Sequence, residues 1–335
     1  MMKSFKMVFF CTMMAGSLIA ISSHSWMGMW VGLEINLLSI IPLLSSSNNP
    51  SSAEAAIKYF ITQAMASNIL LMSIILMIFM NEQSPPSFSS MWMITQSALM
   101  IKMGAAPFHA WFPEVMAGLS WLNCLIMITW QKIAPMVILM NIIKQSMFIV
   151  TIIVISALVG TILGINQISL RKIMAYSSIN HISWMISAMM SMKSLWLVYF
   201  SVYTIISTSI IMILNWLKVN SLHQMAETLS KTSLTSLFYS LNFFSLGGLP
   251  PFLGFLPKWL TIQCLLSAQN IALAVFLTVA TLVAMFYYLR ISFPAVLLGS
   301  ASTPQKNRKT SFILMTSNLW SLAGLMFCCS IMNSL

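Results

Sequence analysis

Four ionisable side chains lie inside long apolar runs of this sequence: Glu34, Lys102, Lys132 and Lys258. A charge at the centre of a lipid bilayer costs roughly 2.5 to more than 10 kcal/mol, so proteins keep such groups where function needs them. Burial penalises the charged form of an amine, and a buried lysine can therefore release and regain a proton near neutral pH. These residue types predict a relay that passes protons through an apolar interior.

Static ion pairs that hold helices together are the other interpretation of these four charges. Three lysines against one glutamate would leave uncompensated positive charge in a dry environment, which makes purely structural pairing costly. We therefore favour proton transfer over static pairing for Glu34 and the three lysines.

Lys58 and His181 are supporting candidates whose structural alternatives stay open. Glu54 precedes Lys58 by four residues, and the stretch Ser51–Glu54 is typical of a capping box, so the start of a helix can explain both charges. Lys58 lies deeper in its apolar run and also fits a relay. His181 follows the polar stretch Tyr176–Asn180 and titrates near physiological pH, so it can either link proton paths or supply hydrogen bonds between helices.

Helix-breaking residues lie close to the three lysines of the predicted relay. Prolines at positions 107 and 135 follow Lys102 and Lys132, and each removes a backbone donor from its helix. The run Gly247–Pro251 precedes Lys258 and should interrupt its helix outright. Irregular backbone at membrane depth is tolerated where it is buried in protein or lines a watery cavity. The helices that carry Lys102 and Lys258 are therefore predicted to be discontinuous and to line a proton pathway.

The composition excludes a soluble fold. Of the 335 residues, 59% are hydrophobic and only 6% are charged, whereas soluble domains carry about 25% charged residues. The net charge of +11 is explained by cations that flank membrane helices, so we expect no nucleic-acid partner. The five cysteines show no C-x-x-C spacing and the four histidines no i, i+4 pair, so we expect neither a metal site nor a redox centre in this chain.

Apolar runs separated by polar, proline-rich or serine-rich breaks predict an all-α, polytopic membrane protein with about eleven transmembrane helices. The predicted spans are residues 4–22, 26–44, 53–80, 89–112, 121–140, 146–166, 169–190, 194–217, 235–268, 271–293 and 312–331. The breaks are too short to form a second domain, so residues 1–335 are expected to form one transmembrane domain.

Loop charges predict the orientation of these spans. With the N-terminus inside, the inner side carries Lys3, Lys6, Arg171, Lys172, Lys218, Lys231, Lys306, Arg308 and Lys309, and the outer side carries Lys144 and Lys193. This excess of cations on the inner side is what the positive-inside rule requires. An odd number of spans would then place the C-terminus outside.

The two helices predicted to be discontinuous, the fourth and the ninth, are five spans apart. Because a repeated unit of five spans must reappear with the opposite orientation, residues 1–140 and 146–293 are predicted to form two inverted five-helix repeats. A C-terminal helix at residues 312–331 would follow them. Inverted repeats with broken helices are typical of transporters.

Five segments resemble the antiporter-like membrane subunits of respiratory complex I (NADH:ubiquinone oxidoreductase), in the form found in invertebrate and especially arthropod mitochondria. The segments are WVGLEIN at 30–36, KYF at 58–60, KMGAAPFH at 102–109, WQKIAP at 130–135 and SLGGLPPFLGF at 245–255. Each motif is modest alone, but their order and spacing are specific, and the resemblance covers essentially the whole chain. Bacterial members have three further N-terminal helices, which this chain is expected to lack.

The resemblance implies a core subunit of a proton-translocating NADH:ubiquinone reductase. It assigns a proton relay made of a Glu34–Lys102 pair, a central Lys132 and an exit-side Lys258, with Lys58 and His181 in support. Electron transfer from NADH to ubiquinone would take place in other subunits, which would hold FMN, iron–sulfur clusters and the quinone. This chain would hold no cofactor of its own.

The resemblance also implies a location and partners. The chain would be a multi-pass protein of the mitochondrial inner membrane, with its N-terminus in the matrix and its C-terminus in the intermembrane space. Its partners would be neighbouring antiporter-like subunits, other membrane-arm subunits, accessory subunits and lipid. Two alternatives stay open: a cation/proton antiporter of the Mrp type, which shares the lysines and broken helices, and a membrane scaffold whose charges are inert pairs.

Overall fold

The computed structural model describes residues 2–45, 49–80, 88–143, 146–229 and 233–297. Within these ranges the regular elements are α-helices, apart from one isolated bridge between Ser169 and Ser221. The prediction of an all-α membrane protein is confirmed for this part of the chain. The helix predicted at residues 312–331 lies outside the described residues.

Short connections join the helices. In chain order the described helices are α1 (Met2–Ser22), α2 (Trp26–Leu44), α3 (Pro50–Met80), α4 (Phe88–Met103), α5 (Trp111–Gly118), α6 (Trp121–Ile128), α7 (Trp130–Ile142), α8 (Met147–Ile165), α9 (Leu170–Ser191), α10 (Lys193–Leu217), α11 (Leu222–Leu229), α12 (Ser233–Gly247), α13 (Phe255–Ser267) and α14 (Ile271–Leu297). The predicted spans at 89–112, 121–140 and 235–268 are each divided between two helices. Residues 222–229, predicted to belong to a loop, form α11 instead. Backbone hydrogen bonds join the start of α11 to the start of α9.

Seven helical stretches of the described residues are long and apolar enough to cross a membrane: Ser4–Ser22, Trp26–Leu44, Pro50–Phe79, Trp121–Ile142, Met147–Ile165, Lys193–Leu217 and Ile271–Phe293. The chain is therefore a multi-pass membrane protein, while the total of eleven helices and the inverted repeats stay predictions. The predicted fourth and ninth spans are not among these seven because they are interrupted. The predicted seventh span is not among them because it is rich in polar residues. These three spans carry Lys102, Lys258 and His181.

The chain divides into two compact units between Ile152 and Ile153, and each unit has its own apolar core. In the first unit, α3 and α4 pack against each other around side chains such as Leu99, and α4 also packs on α7. In the second unit, α9 packs on α10 and α13, and α12 packs on α10 and α14, and large side chains such as Trp184 are buried. Large apolar side chains on outer faces, such as Leu282 at 71% exposed, lie where lipid can cover them.

Candidate proton-relay site

The first helix break lies one residue after Lys102. The chain turns through Gly104, whose φ of 74° is in the left-handed region that favours glycine, and α5 begins at Trp111. Because α4 stops here, the carbonyls at its end need donors from elsewhere. The amide of Gln63 donates to the carbonyl oxygen of Lys102 at 3.3 Å, and the indole of Trp111 donates to that of Ile101 at 3.1 Å. Neutral donors, from side chains and from the backbone of the turn, therefore satisfy this helix end.

The ammonium group of Lys102 is coupled to Glu34 without touching it. Lys102 is buried, and Glu34 on α2 is half-buried. Glu34 is the acid that interacts electrostatically with Lys102, but their charged atoms are farther apart than the 4.0 Å of an ion pair. The two residues that the resemblance pairs are thus coupled electrostatically and form no ion pair within the described residues. A full charge that is left without a contact partner in an apolar interior can change its protonation at lower cost than one locked in a salt bridge.

Lys132 is the most deeply buried of the predicted relay lysines, with 1% of its surface exposed. It lies in the first turn of α7, and the junction between α6 and α7 falls at Thr129. The ammonium nitrogen lies 5.3 Å from the ring centroid of Phe112 on α5. Phe112 also packs on the first break, since a Cβ built on Gly104 would lie 3.1 Å from the Cβ of Phe112. One aromatic ring therefore contacts both Lys132 and the turn that follows Lys102.

A chain of neutral polar side chains, which the sequence analysis missed, crosses the first unit next to Lys132. The amide of Gln131 donates to the side-chain oxygen of Asn36 at 2.9 Å, and the hydroxyl of Tyr59 donates to the Gln131 oxygen at 3.3 Å. These bonds join α7 to α2 and α3. Polar residues next to Glu34, Lys58 and Lys132 were the available signal, because a polar side chain in an apolar helix needs a partner.

Lys58 lies in a different environment from the buried lysines. Its ammonium group lies 2.9 Å from Glu54 and 3.0 Å from Glu114, and the side chain of Lys58 is 43% exposed. The i, i+4 pair with Glu54 is confirmed. The capping box is wrong, because α3 already begins at Pro50 and the stretch Ser51–Glu54 lies within the helix. Glu114, 56 residues further along the chain, could not be assigned to Lys58 from sequence spacing.

The second helix break lies before Lys258, and here the lysine itself binds the interrupted helix. α12 ends at Gly247, and the chain turns through Gly248 with φ 81° before α13 begins. The Lys258 ammonium donates to the carbonyl oxygens of Leu246 at 3.3 Å and Gly247 at 2.7 Å. These carbonyls form the negative end of the α12 dipole, which attracts a cation. The interruption predicted at Gly247–Pro251 is confirmed.

Lys258 also lies 5.9 Å from the ring centroid of Trp184 on α9. One turn before Trp184, the side chain of His181 points toward α10, where its Nδ1 atom lies 2.9 Å from the hydroxyl of Tyr199. Tyr199 was not predicted as a site residue, since one aromatic residue in an apolar helix carries no pattern of its own. His181 and Lys258 thus belong to one packed group of helices, α9, α10 and α13.

The described residues contain no group of three or more His, Cys, Asp or Glu side chains that could hold a metal ion. The ion pairs of the described residues include those of Lys58 with its two glutamates and that of His223 with Glu227. Lys102 and Lys258 take part in none of these pairs. The arrangement can therefore exchange protons between buried amines and their polar neighbours.

Fold and site together define a polytopic helical membrane protein in which buried lysines lie at interrupted helices. The model of the family described as NADH:quinone oxidoreductase/Mrp antiporter, TM, matches residues 23–284. Among curated proteins, the chain is 43% identical over 325 residues to NADH-ubiquinone oxidoreductase chain 2 of Anopheles gambiae, covering 95% of each chain. It is 44% identical over 301 residues to the protein of the same name from Locusta migratoria, covering 88% of this chain and 86% of the relative.

Two solved assemblies have the same fold. A chain of respiratory complex I from Thermus thermophilus matches with a TM-score of 0.84 at 23% identity, covering 95% of this chain and 77% of that one. A chain of the Mrp complex from a Dietzia species matches with a TM-score of 0.75 at 18% identity, covering 90% of this chain and 62% of that one. With these relatives and the family match, the chain belongs to the NADH:quinone oxidoreductase/Mrp antiporter membrane-subunit family.

Proposed function

We propose that this chain is a proton-translocating subunit in the membrane arm of respiratory complex I. Its relatives are named for NADH-ubiquinone oxidoreductase, and the family includes membrane subunits of that enzyme. The observation that carries the proposal is the burial of Lys102 and Lys258, each 7% exposed, at helix breaks and outside the described ion pairs. A structural lysine in lipid would be paired with an acid, whereas a relay lysine must be able to give up its proton.

We assign the relay to Glu34, Lys102, Lys132 and Lys258, with Lys58 and His181 as supporting groups. Within the first unit, the coupling between Glu34 and Lys102 lets a change of charge at one residue alter proton binding at the other. Lys132, beside the aromatic ring at the first break, would receive the proton next. Within the second unit, Lys258 would hold its proton against the end of α12 and release it when those carbonyls find other donors.

The supporting role of Lys58 has a structural alternative in its two ion pairs. A lysine that bridges two carboxylates keeps its charge, and exposed pairs of this kind hold elements together weakly. The role of His181 has the alternative of hydrogen bonding between helices, which its contact with Tyr199 also provides. Both assignments therefore depend on the experiments below.

Location, topology and partners follow from the same proposal. The chain would lie in the mitochondrial inner membrane with its N-terminus in the matrix, and residues 1–140 and 146–293 would form inverted repeats within one transmembrane domain. Neighbouring antiporter-like subunits, accessory subunits and lipid would surround it. FMN, iron–sulfur clusters and ubiquinone would be bound by other subunits, and redox energy from NADH would drive the protons through this one.

A cation/proton antiporter is the second candidate function. The family covers Mrp antiporter subunits as well as oxidoreductase subunits, and the Mrp complex from Dietzia has the same fold. Buried lysines at helix breaks would serve either activity. The two functions differ in their energy source, because an antiporter couples protons to another cation and the complex I subunit couples them to electron transfer.

Co-migration on a native gel tests the first proposal. Membranes are solubilised gently, and the position of this chain is compared with the band of NADH dehydrogenase activity. We expect the two to coincide, and migration as a small species without that activity would favour the antiporter.

A matched pair of lysine variants tests the relay itself. Lys132→Met removes a buried amine and should lower proton translocation per electron in the assembled complex. Lys218→Met removes an exposed lysine at the end of α10 and should leave translocation unchanged. Normal translocation in Lys132→Met and in Lys102→Met would support an inert scaffold instead.

A further inference from the structure

His181 lies against two tyrosines of α10 that hold its ring in different ways. The imidazole is 5% exposed, and its Nδ1 atom lies 2.9 Å from the hydroxyl oxygen of Tyr199, which is 1% exposed. The ring of Tyr203 lies 4.9 Å from the imidazole, centroid to centroid, at an interplanar angle of 41°. The hydroxyl of Tyr203 is hydrogen-bonded with Ser178. Tyr199 thus contacts His181 through its hydroxyl, and Tyr203 contacts it through its ring face.

The same three side chains line a small cavity that reaches the second helix break. Ser245 and Leu246 at the end of α12 and Pro257 of α13 also line it. Its volume of about 10 Å³ is close to the minimum that admits one water molecule. The carbonyl of Leu246 also accepts a hydrogen bond from the Lys258 ammonium at 3.3 Å. The cavity therefore lies between His181 and the backbone that Lys258 binds.

A tyrosine hydroxyl suits a histidine that changes its proton number. The hydroxyl oxygen can accept a hydrogen bond from Nδ1–H while the imidazole is neutral and also after Nε2 has taken up a second proton. The hydrogen bond between Tyr199 and His181 can therefore persist in both protonation states. This bond also determines which nitrogen reacts, because it keeps the single proton of neutral imidazole on Nδ1 and leaves the basic lone pair on Nε2.

We propose that Tyr199 is a positioning residue that directs proton exchange of His181 to Nε2, through a water molecule in the cavity. Tyr199 and Tyr203 on α10 face His181, and Pro257, the residue before Lys258 on α13, lines the same cavity. A proton taken up at Nε2 passes by way of the water toward Lys258, and Nδ1 stays bound throughout. This inference rests on the proposed function, since it requires His181 to carry protons.

Tyr199→Phe tests the inference in the assembled complex, with Tyr203→Phe as the matched control. Both variants keep an aromatic ring beside His181, but only the first removes the hydroxyl from Nδ1. We expect Tyr199→Phe to lower proton translocation per electron by roughly threefold to tenfold, the size expected for one hydrogen bond. Tyr203→Phe should lower it less. Equal effects of the two variants, or none in Tyr199→Phe, would overturn the assignment of Tyr199.

His181→Gln separates this inference from the proposed role of His181. Impaired translocation in His181→Gln with normal translocation in Tyr199→Phe removes only the positioning role. Normal translocation in His181→Gln removes His181 from the relay and the inference with it.

The tautomer of His181 gives a readout that packing alone would not change. The infrared imidazole band that is present in the wild-type complex and lost in His181→Gln reports which nitrogen carries the proton. An Nδ1–H band in the resting enzyme supports the proposal, and an Nε2–H band contradicts it. Because this measurement needs no Tyr199 variant, it decides the question even if Tyr199→Phe does not assemble.

Discussion

The two helix breaks have similar turns but satisfy their open helix ends differently. Each break contains a glycine with positive φ, Gly104 in the first unit and Gly248 in the second. At the first break, the side chains of Gln63 and Trp111 donate to the last carbonyls of α4. At the second break, the ammonium of Lys258 does so. The hydrogen bonding of the second helix end thus depends on whether Lys258 is protonated. The hydrogen bonding of the first helix end depends on no titrating group.

This difference separates two kinds of relay lysine. Lys102 can gain or lose its proton while the end of α4 keeps its neutral donors. Lys258 cannot lose its proton without weakening two hydrogen bonds to α12, so its titration is coupled to the local backbone. A charged donor forms stronger hydrogen bonds than a neutral one, so the deprotonated amine would hold the carbonyls less tightly. The second break is therefore the better candidate for a conformational step.

The largest expected effect is that of Lys258→Met compared with Lys102→Met. Both should lower proton translocation by roughly a hundredfold or more, the range for losing a group that transfers a proton. Only Lys258→Met also leaves the carbonyls of Leu246 and Gly247 without their donor, which costs about 1–3 kcal/mol. Thermal unfolding of the purified complex, followed beside translocation, should show a loss of stability in Lys258→Met alone. Equal stability loss in the two variants would remove the proposed difference between the breaks.

The next effect is expected from Gly248→Ala. A Cβ at this position would lie 2.8 Å from the Cδ atom and 3.0 Å from the ammonium nitrogen of Lys258, and a φ of 81° is strained for alanine by about 1–2 kcal/mol. The ammonium should move away from α12, and translocation should fall by about tenfold, which corresponds to about 1.4 kcal/mol in the barrier. Gly104→Ala is the control, since its Cβ would meet Phe112 rather than a lysine. A larger loss of translocation in Gly104→Ala than in Gly248→Ala would contradict the expectation.

A smaller effect, on stability alone, is expected from Gln63→Leu. The substitution removes the amide that donates to the carbonyl of Lys102 at 3.3 Å. A buried carbonyl without a donor costs about 1–3 kcal/mol, so thermal stability should fall while translocation stays near the wild-type rate. A stability unchanged within error, or a loss of translocation as severe as in Lys102→Met, would show that neutral donors do not maintain the first break.

The smallest effect is expected from Glu114→Gln. Lys58 keeps Glu54 at 2.9 Å when the second carboxylate is neutralised, and all three side chains are accessible to solvent or headgroups. Translocation should therefore not change in Glu114→Gln, and Glu54→Gln should behave alike. A marked loss in either variant would show that the supporting role of Lys58 needs both carboxylates rather than one.

The apolar runs, the loop charges and the helix-breaking motifs of this chain could be read without a structure. Membrane helices depend on local hydropathy, and a Gly-Gly-Leu-Pro-Pro run breaks a helix wherever it lies. The break before Lys258 was therefore predictable, as were the positions of the long spans in the described residues. The i, i+4 pair of Glu54 and Lys58 was predictable for the same reason, because the spacing along one helix is regular.

Tertiary structure decided everything that depends on contacts between helices. Several side-chain contacts join residues of different helices, namely Gln131 with Asn36, Lys58 with Glu114 and His181 with Tyr199. The hydropathy of the sequence does not show which helix faces pack against each other. The absence of a direct contact between Glu34 and Lys102 is likewise a matter of helix packing. The sequence determined that lysines lie within apolar stretches of the chain, and packing alone determined whether the neighbour of each ammonium group is a carboxylate, an aromatic ring or the open end of a helix.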